Sequence, residues 1–306
     1  MSSPSEHVAR PRDRFPLTDA RVVVVPATGG VALRTIERIP ASADPSLPSV
    51  LLIHGLASNA RMWDGVGSAL ARQGISSVAV DLRGHGLSDK PDHGYDFDTV
   101  SDDLIAVLDH FGWTRAILAG QSWGGNVVVH TARRHTDRVV GIVPVDGGMI
   151  ELGRAFPEWD DCARALRPPN LLGTRSGRMD AAIRSMHSDW PESGIVGALS
   201  NFEVLDDGTI RPWLTLDHHL AILRHLWEHR PTELYPHIDR PVLWIPADSG
   251  DVAWTNNKDR AIEAALESLP KARVHWFRPA HHDVHAQHPE RLAEVVVSNM
   301  KNGFLA

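Results

Sequence analysis

The run Gly120-Gln121-Ser122-Trp123-Gly124-Gly125 sets a serine between two glycines in a G-x-S-x-G arrangement. A serine hydroxyl is a weak nucleophile at neutral pH. It needs a base beside it, and the base needs a third group to fix its orientation. The backbone that best exposes such a hydroxyl is a very sharp strand-to-helix turn. Flanking glycines remove side chains that would clash there, and the helix that follows aims its first N–H groups at developing negative charge. Candidate bases lie far downstream, where His281, His282, His285 and His288 crowd one segment. Candidate orienting carboxylates are Asp146, Asp248 and Asp251. The H-x-x-H spacings among the histidines also permit a metal, but no carboxylate or thiolate cluster accompanies them, so no metal is expected.

The surrounding grammar supplies a turn of the required kind. Residues 116–119 are apolar and β-prone, and residues 124–135 have helical spacing, so Ser122 falls where strand gives way to helix. Residues 21–25 and 31–39 predict a hairpin through Thr28-Gly29-Gly30. From Val50 the chain alternates strand, loop and helix: strands over 50–53, 76–80, 115–120 and 139–145, and helices over 62–73 and 98–111, the latter with Asp98 as its cap. The all-apolar strands are of the type buried on both faces, which predicts an α/β protein with a mostly parallel sheet and helices on both faces. The alternation breaks over 149–231, where Pro168-Pro169 and scattered tryptophans replace it, and resumes with strands over 241–245 and 273–277 and helices over 257–269 and 289–300. The domains expected are therefore a loose tail (1–18), a core (19–148 and 232–306) and a helical cap insertion (149–231). Phe156, Trp159, Met186, Trp190 and Trp213 are candidates either for a pocket lining or for the cap's own small core.

The bulk numbers narrow the function. Among 306 residues, 31 Lys and Arg face 38 Asp and Glu, giving a net charge of −7, with no basic footprint for nucleic acid or anionic lipid. One cysteine, Cys162, excludes an internal disulfide and suits a reducing compartment. No run approaches the roughly 20 apolar residues of a membrane span, and the polar, proline-bearing N-terminus lacks the apolar run of a secretory signal. A cytoplasmic protein without membrane insertion is expected. His225 and His229 share i,i+4 spacing, but two ligands are too few for a metal, and a solvated helix face is expected there.

The stretches His54-Gly55-Leu56, Asp81-Leu82-Arg83-Gly84-His85-Gly86-Leu87-Ser88-Asp89, Gly120-Gln121-Ser122-Trp123-Gly124-Gly125 and His282 followed by Pro289-Glu290, in that order, resemble the α/β-hydrolase superfamily over roughly residue 21 to the C-terminus. That resemblance implies the α/β-hydrolase fold with a helical cap, Ser122 as nucleophile and no cofactor. It selects His282 as the base by its distance before the Pro-Glu that opens the last helix. His281 is the alternative, while His285 and His288 are expected in solvated or capping roles. The oxyanion hole would be the N–H groups of Leu56 and Trp123. His54, Asp81, Arg83 and His85 are expected to order loops.

The acid is left between two places. Most relatives carry it after the strand at 241–245, where Asp251 sits one residue late and Asp248 early. Some, the haloalkane dehalogenases among them, carry it after the strand at 139–145, which offers Asp146. Asp251 is preferred, with Asp146 as the alternative. The activity implied is hydrolysis of a carboxylic ester, thioester or lactone with an apolar acyl or alcohol group. Trp123 and Met149 are expected to touch this small-molecule substrate. Carbon–carbon bond hydrolysis and cofactor-free perhydrolysis could use the same residues, and a ligand receptor on the same fold is the non-enzymatic alternative. Epoxide hydrolase and haloalkane dehalogenase chemistry is disfavoured, because an alkyl-enzyme route needs a carboxylate where this chain has Ser122.

Overall fold

The computed structural model describes residues 13–306. Eight strands form one sheet. In chain order its elements begin β1 (Arg21–Pro26), β2 (Ala32–Arg38), β3 (Val50–Ile53), α1 (Asp64–Arg72), β4 (Ser77–Val80), α2 (Phe97–His110), β5 (Ala116–Gln121), α3 (Trp123–Arg134) and β6 (Val139–Val145). An insertion follows with α4 (Leu152–Ala155), α5 (Trp159–Ala165), α6 (Ser176–Met186), α7 (Glu192–Leu199), the antiparallel pair β7 (Phe202–Val204) and β8 (Ile210–Pro212), and α8 (Leu216–Glu228). The chain then runs through α9 (Pro231–Leu234), β9 (Val242–Trp244), α10 (Val252–Ser268), β10 (Ala272–Val274), α11 (Val284–Gln287) and α12 (Pro289–Lys301).

The sheet order is β1-β2-β4-β3-β5-β6-β9-β10. The pairs β1–β2 and β2–β4 are antiparallel and the remaining pairs parallel. Successive side chains of a strand point to opposite faces, and β3 displays the result. Leu51 and Ile53 join the apolar cluster under α2 and α3, while Val50 and Leu52 join the cluster under α1 and α12. Helices therefore cover both faces, as the apolar strands predict, and every parallel strand leaves its C-terminal end at one edge.

Several boundaries differ from expectation for local reasons. The cap of α2 is Asp96, not Asp98, because the Asp96 side chain accepts the Thr99 N–H while its own backbone is extended. The insertion is not wholly helical, since β7 and β8 pair within it. Of the segment expected as a loose tail, residues 1–12 lie outside the described residues, and residues 13–18 are not loose. The Asp13 carboxylate pairs with Arg34 and Arg61, Arg61 also donates to the Phe15 carbonyl at 2.8 Å, and Phe15 packs against the apolar cluster that holds Met62, Trp190 and Leu199. Cys162 is fully buried. No helix among the described residues is long and apolar enough to cross a membrane.

Candidate active site

Ser122 stands between β5 and α3 with φ 54° and ψ −120°, a backbone an L-residue adopts only under constraint. The constraint is visible. The Ser122 N–H donates to Val145 O at 3.0 Å, and its carbonyl accepts the Gly125 N–H at 2.9 Å. A Cβ at Gly120 would lie 2.1 Å from Gly124 O, and one at Gly124 would lie 2.5 Å from His54 O, so the motif's glycines are demanded by backbone contact on both sides.

The loop after β3 reaches the same point. Ala57 there has φ 58°. His54, fully buried, donates from Nδ1 to Gly55 O at 2.7 Å and accepts the Leu82 N–H on Nε2 at 3.0 Å. His85 donates from Nδ1 to Arg83 O and accepts the Ala57 N–H on Nε2. Both imidazoles are consumed by backbone bonds, and both are kept neutral by burial, His85 most strongly. The Asp81 carboxylate accepts the N–H groups of Ala60 and Leu87, and Arg83 grips Asp103 through two hydrogen bonds of 2.6 and 2.7 Å. These residues order the loops, as expected. Among the described residues, no protein acceptor takes the N–H of Leu56 or of Trp123, so two amides stand open beside Ser122.

His282 lies on the loop between β10 and α11. Its Nδ1 is 2.6 Å from Asp146 Oδ2, and Gln121 Nε2 donates to its carbonyl at 3.3 Å. Partial desolvation disfavours its imidazolium, although 52% of the side chain stays exposed, and the hydrogen bond to Asp146 and the charge of that carboxylate outweigh it and raise its pKa above the ordinary value. Asp146 is opposite in sense. Burial disfavours its charge, yet the bond and charge of His282, the Lys258 ammonium and the Ala247 N–H together hold its pKa below the ordinary value. The pair therefore rests as a carboxylate against an imidazole that protonates readily.

The preferred acid is thereby corrected. Asp251 sits on the exposed turn opening α10, where its carbonyl accepts the Thr255 N–H, while the carboxylate on His282 is that of Asp146. The cause is the register of the sheet edge. Ile245 O accepts the Asp146 N–H, and the Ala247 N–H donates to Asp146 Oδ1 at 2.9 Å, so the turn after β9 supports the carboxylate that meets His282 rather than supplying it. Asp248 caps that turn, accepting from Gly250 N and Thr255 Oγ1. Asp146 pays for its place with a φ of 43°.

Other expectations also change. The Trp123 ring is 1% exposed and stacks on His85 at 5.5 Å, so that side chain belongs to the core and only its N–H faces the site. Met149 is half-buried against the same core. His285 is not solvated but fully buried against Trp63, and burial pushes its pKa down to about 3. His229 lies past the end of α8, buried on Phe97 with its Nδ1 3.1 Å from Asn126 Nδ2, because α8 stops at Glu228. Among the described residues no three His, Cys, Asp or Glu side chains cluster as metal ligands. Two contributors lay outside sequence reasoning. Asn126 pins the turn after Asp146 by accepting the Gly148 N–H and donating to Ile150 O, and Lys258 reaches Asp146 from α10. Neither carries a local motif.

Sheet order, sharp turn and edge loops are those of one family. The chain belongs to the α/β-hydrolase fold family, whose sequence model matches residues 48–289. Within that family it is 32% identical over 164 residues to the AB hydrolase superfamily protein YisY of Bacillus subtilis, covering 54% of this chain and 57% of that one. It is 26% identical to esterase YbfF of Escherichia coli, covering 81% of this chain and 91% of YbfF. The matched stretches span 35–57% of the length of the first curated relatives. Among solved structures, that of E-2-(acetamidomethylene)succinate hydrolase superposes with a TM-score of 0.75 at 23% identity, covering 93% of this chain and all of the other.

Proposed function

We propose that this chain is a serine hydrolase that cleaves a carboxylic ester, thioester or lactone through an acyl-enzyme. The observation that carries the proposal is the 2.6 Å bond from His282 Nδ1 to a buried, ionised Asp146 at the strand edge that also presents Ser122. In this reading the Asp146 bond leaves His282 Nε2 to take the Ser122 proton as Oγ attacks the acyl carbon. The oxyanion settles on the N–H groups of Leu56 and Trp123, each such donor contributing about 3 kcal/mol in comparable sites. His282 then gives its proton to the leaving alkoxide or thiolate. Water repeats the sequence on the acyl-enzyme, releasing the acid and restoring Ser122. An alkyl-enzyme route would need a carboxylate at position 122.

The insertion serves as the cap. Between it and the loop after β3 lies a cavity of about 1010 Å³ that adjoins the site at Ala57 and Ser58 without being lined by Ser122 or His282, walled mainly by Pro168, Leu171, Phe202, Ile210 and Trp213 with Arg167 and Arg211 among them. Its apolar wall favours a substrate with an apolar acyl or alcohol group. A fluorophosphonate probe tests the reading together with p-nitrophenyl esters of increasing chain length. The expected result is stoichiometric labelling of wild type, no labelling of a folded Ser122→Ala variant, and turnover that rises with chain length. A wild-type protein that neither labels nor turns over any ester would sink the enzyme reading and favour a ligand receptor.

A further inference from the structure

Asp146 has more partners than a triad requires. Its carboxylate is fully buried, and Lys258 of α10 contacts both oxygens, with Nζ 2.7 Å from Oδ1 and 2.8 Å from Oδ2. The same ammonium lies 2.8 Å from Ala247 O, and its side chain is only 12% exposed. With the Ala247 N–H on Oδ1 and His282 Nδ1 on Oδ2, each carboxylate oxygen accepts one bond from a fixed donor and one from Lys258. Two cations thus compete for one anion once His282 protonates. A buried carboxylate without a counter-ion is costly and draws a proton or a cation to itself. Lys258 meets that demand permanently, so His282 is not obliged to remain protonated at rest.

We propose that Lys258 is a positioning residue for the reaction: its ammonium, bound to both oxygens of Asp146, locks that carboxylate in the plane that His282 Nδ1 meets and shares its negative charge with His282. The inference rests on His282 acting as the base. The groups facing His282 are Asp146 at the end of β6, Lys258 on α10, Asp283 beside it in the chain and His285 on α11, with His187 of the insertion and His281 acting on Asp283. Of the fixed charges against Asp146, Lys258 is the cation, and its field works directly against an imidazolium at position 282.

The sign follows. Removing the ammonium leaves the Asp146 charge uncompensated and makes imidazolium formation easier, so the His282 pKa rises. The acid limb of kcat/KM, which reports the free enzyme's base, moves to higher pH. Lys258→Gln removes the charge while keeping a donor, and Lys258→Met removes both. NMR titration of the His282 imidazole, assigned by its loss in His282→Gln, measures the pKa without turnover, and melting curves establish that each variant is folded. The expected shift is upward by about one pH unit in both variants. Lys258→Met should also lose about tenfold in kcat at the pH plateau with KM unchanged, through misorientation of Asp146. A folded Lys258→Gln protein whose His282 pKa stays within ~0.2 unit of wild type overturns the proposal. A shifted imidazole with an unmoved rate profile keeps the electrostatic effect of Lys258 on His282 but removes His282 as the base, and with it the positioning role in the reaction.

Discussion

The C-terminal edge of the sheet and the insertion that packs beside it follow different rules. At the edge, the polar side chains that order the loops and the Asp146 carboxylate are sealed. His54, Asp81, Arg83, His85, Asn126 and Asp146 are each at most 3% exposed, and each is fixed by named hydrogen bonds. In the insertion the elements are short, and apolar side chains stand in solvent, Leu172 at 92% and Met186 at 70%. The candidates there divide accordingly. Trp190 packs into the insertion's small core with Ile195 and Leu199, Trp159 meets Trp227, and Trp213 faces the cavity. A region whose polar side chains are held by such bonds tolerates almost no change. A region held by a few apolar contacts can be reshaped without disturbing the edge. Reaction chemistry and substrate choice would then be separately adjustable.

The strongest way to break that contrast is at the acid. Asp146→Asn should cost roughly 10⁴ in kcat, because an amide at Oδ2 favours the wrong imidazole tautomer. Asp251→Asn, on the exposed turn, should stay within about threefold of wild type. Equal losses in kcat assays of the two variants would return the acid to the turn after β9. Next comes the proposed base. His282→Ala should lose at least ~10³ in kcat, whereas His281→Ala, whose ring is exposed, should lose less than tenfold. A dead His281→Ala would move the register by one residue. The smallest effect should come from the insertion. Trp213→Ala removes part of the cavity wall and should raise KM for long-chain esters by about tenfold, roughly the 1–2 kcal/mol of a partly buried aromatic. Its kcat for short-chain esters should hold within about twofold. A matching fall in kcat would show that wall and chemistry are not separable.

What the sequence could convey follows the same division. Four consecutive aliphatic residues in β3 and five among the seven of β6 announce strands buried on both faces, and the glycines around Ser122 announce the turn, because each signal lies within a few neighbouring residues. The choice between Asp146 and Asp251 does not. It depends on which of two adjacent strand ends reaches the histidine, and that is settled by hydrogen bonds between residues about a hundred positions apart, such as Ala247 N–H to Asp146. Lys258, 112 positions from its partner, is beyond any motif for the same reason. The insertion misleads in another way. Its helices are too short to impose a period, so a β pair and a buried His229 are indistinguishable from loop and solvated helix.

Among the described non-glycine residues, four have a positive φ, and three of them are Ala57, Ser122 and Asp146. Each such backbone costs on the order of 1–3 kcal/mol, against a net stability for a typical domain of about 5–15 kcal/mol. The site is therefore a standing load on the fold. Selection for heat resistance alone would drift these positions toward glycine, gaining melting temperature at the cost of the Ser122 hydroxyl and the Asp146 carboxylate. A thermostable lineage of this protein that stayed active would have to find its gains elsewhere, in the loosely packed insertion, which is where evolution has the most room and the chemistry the least stake.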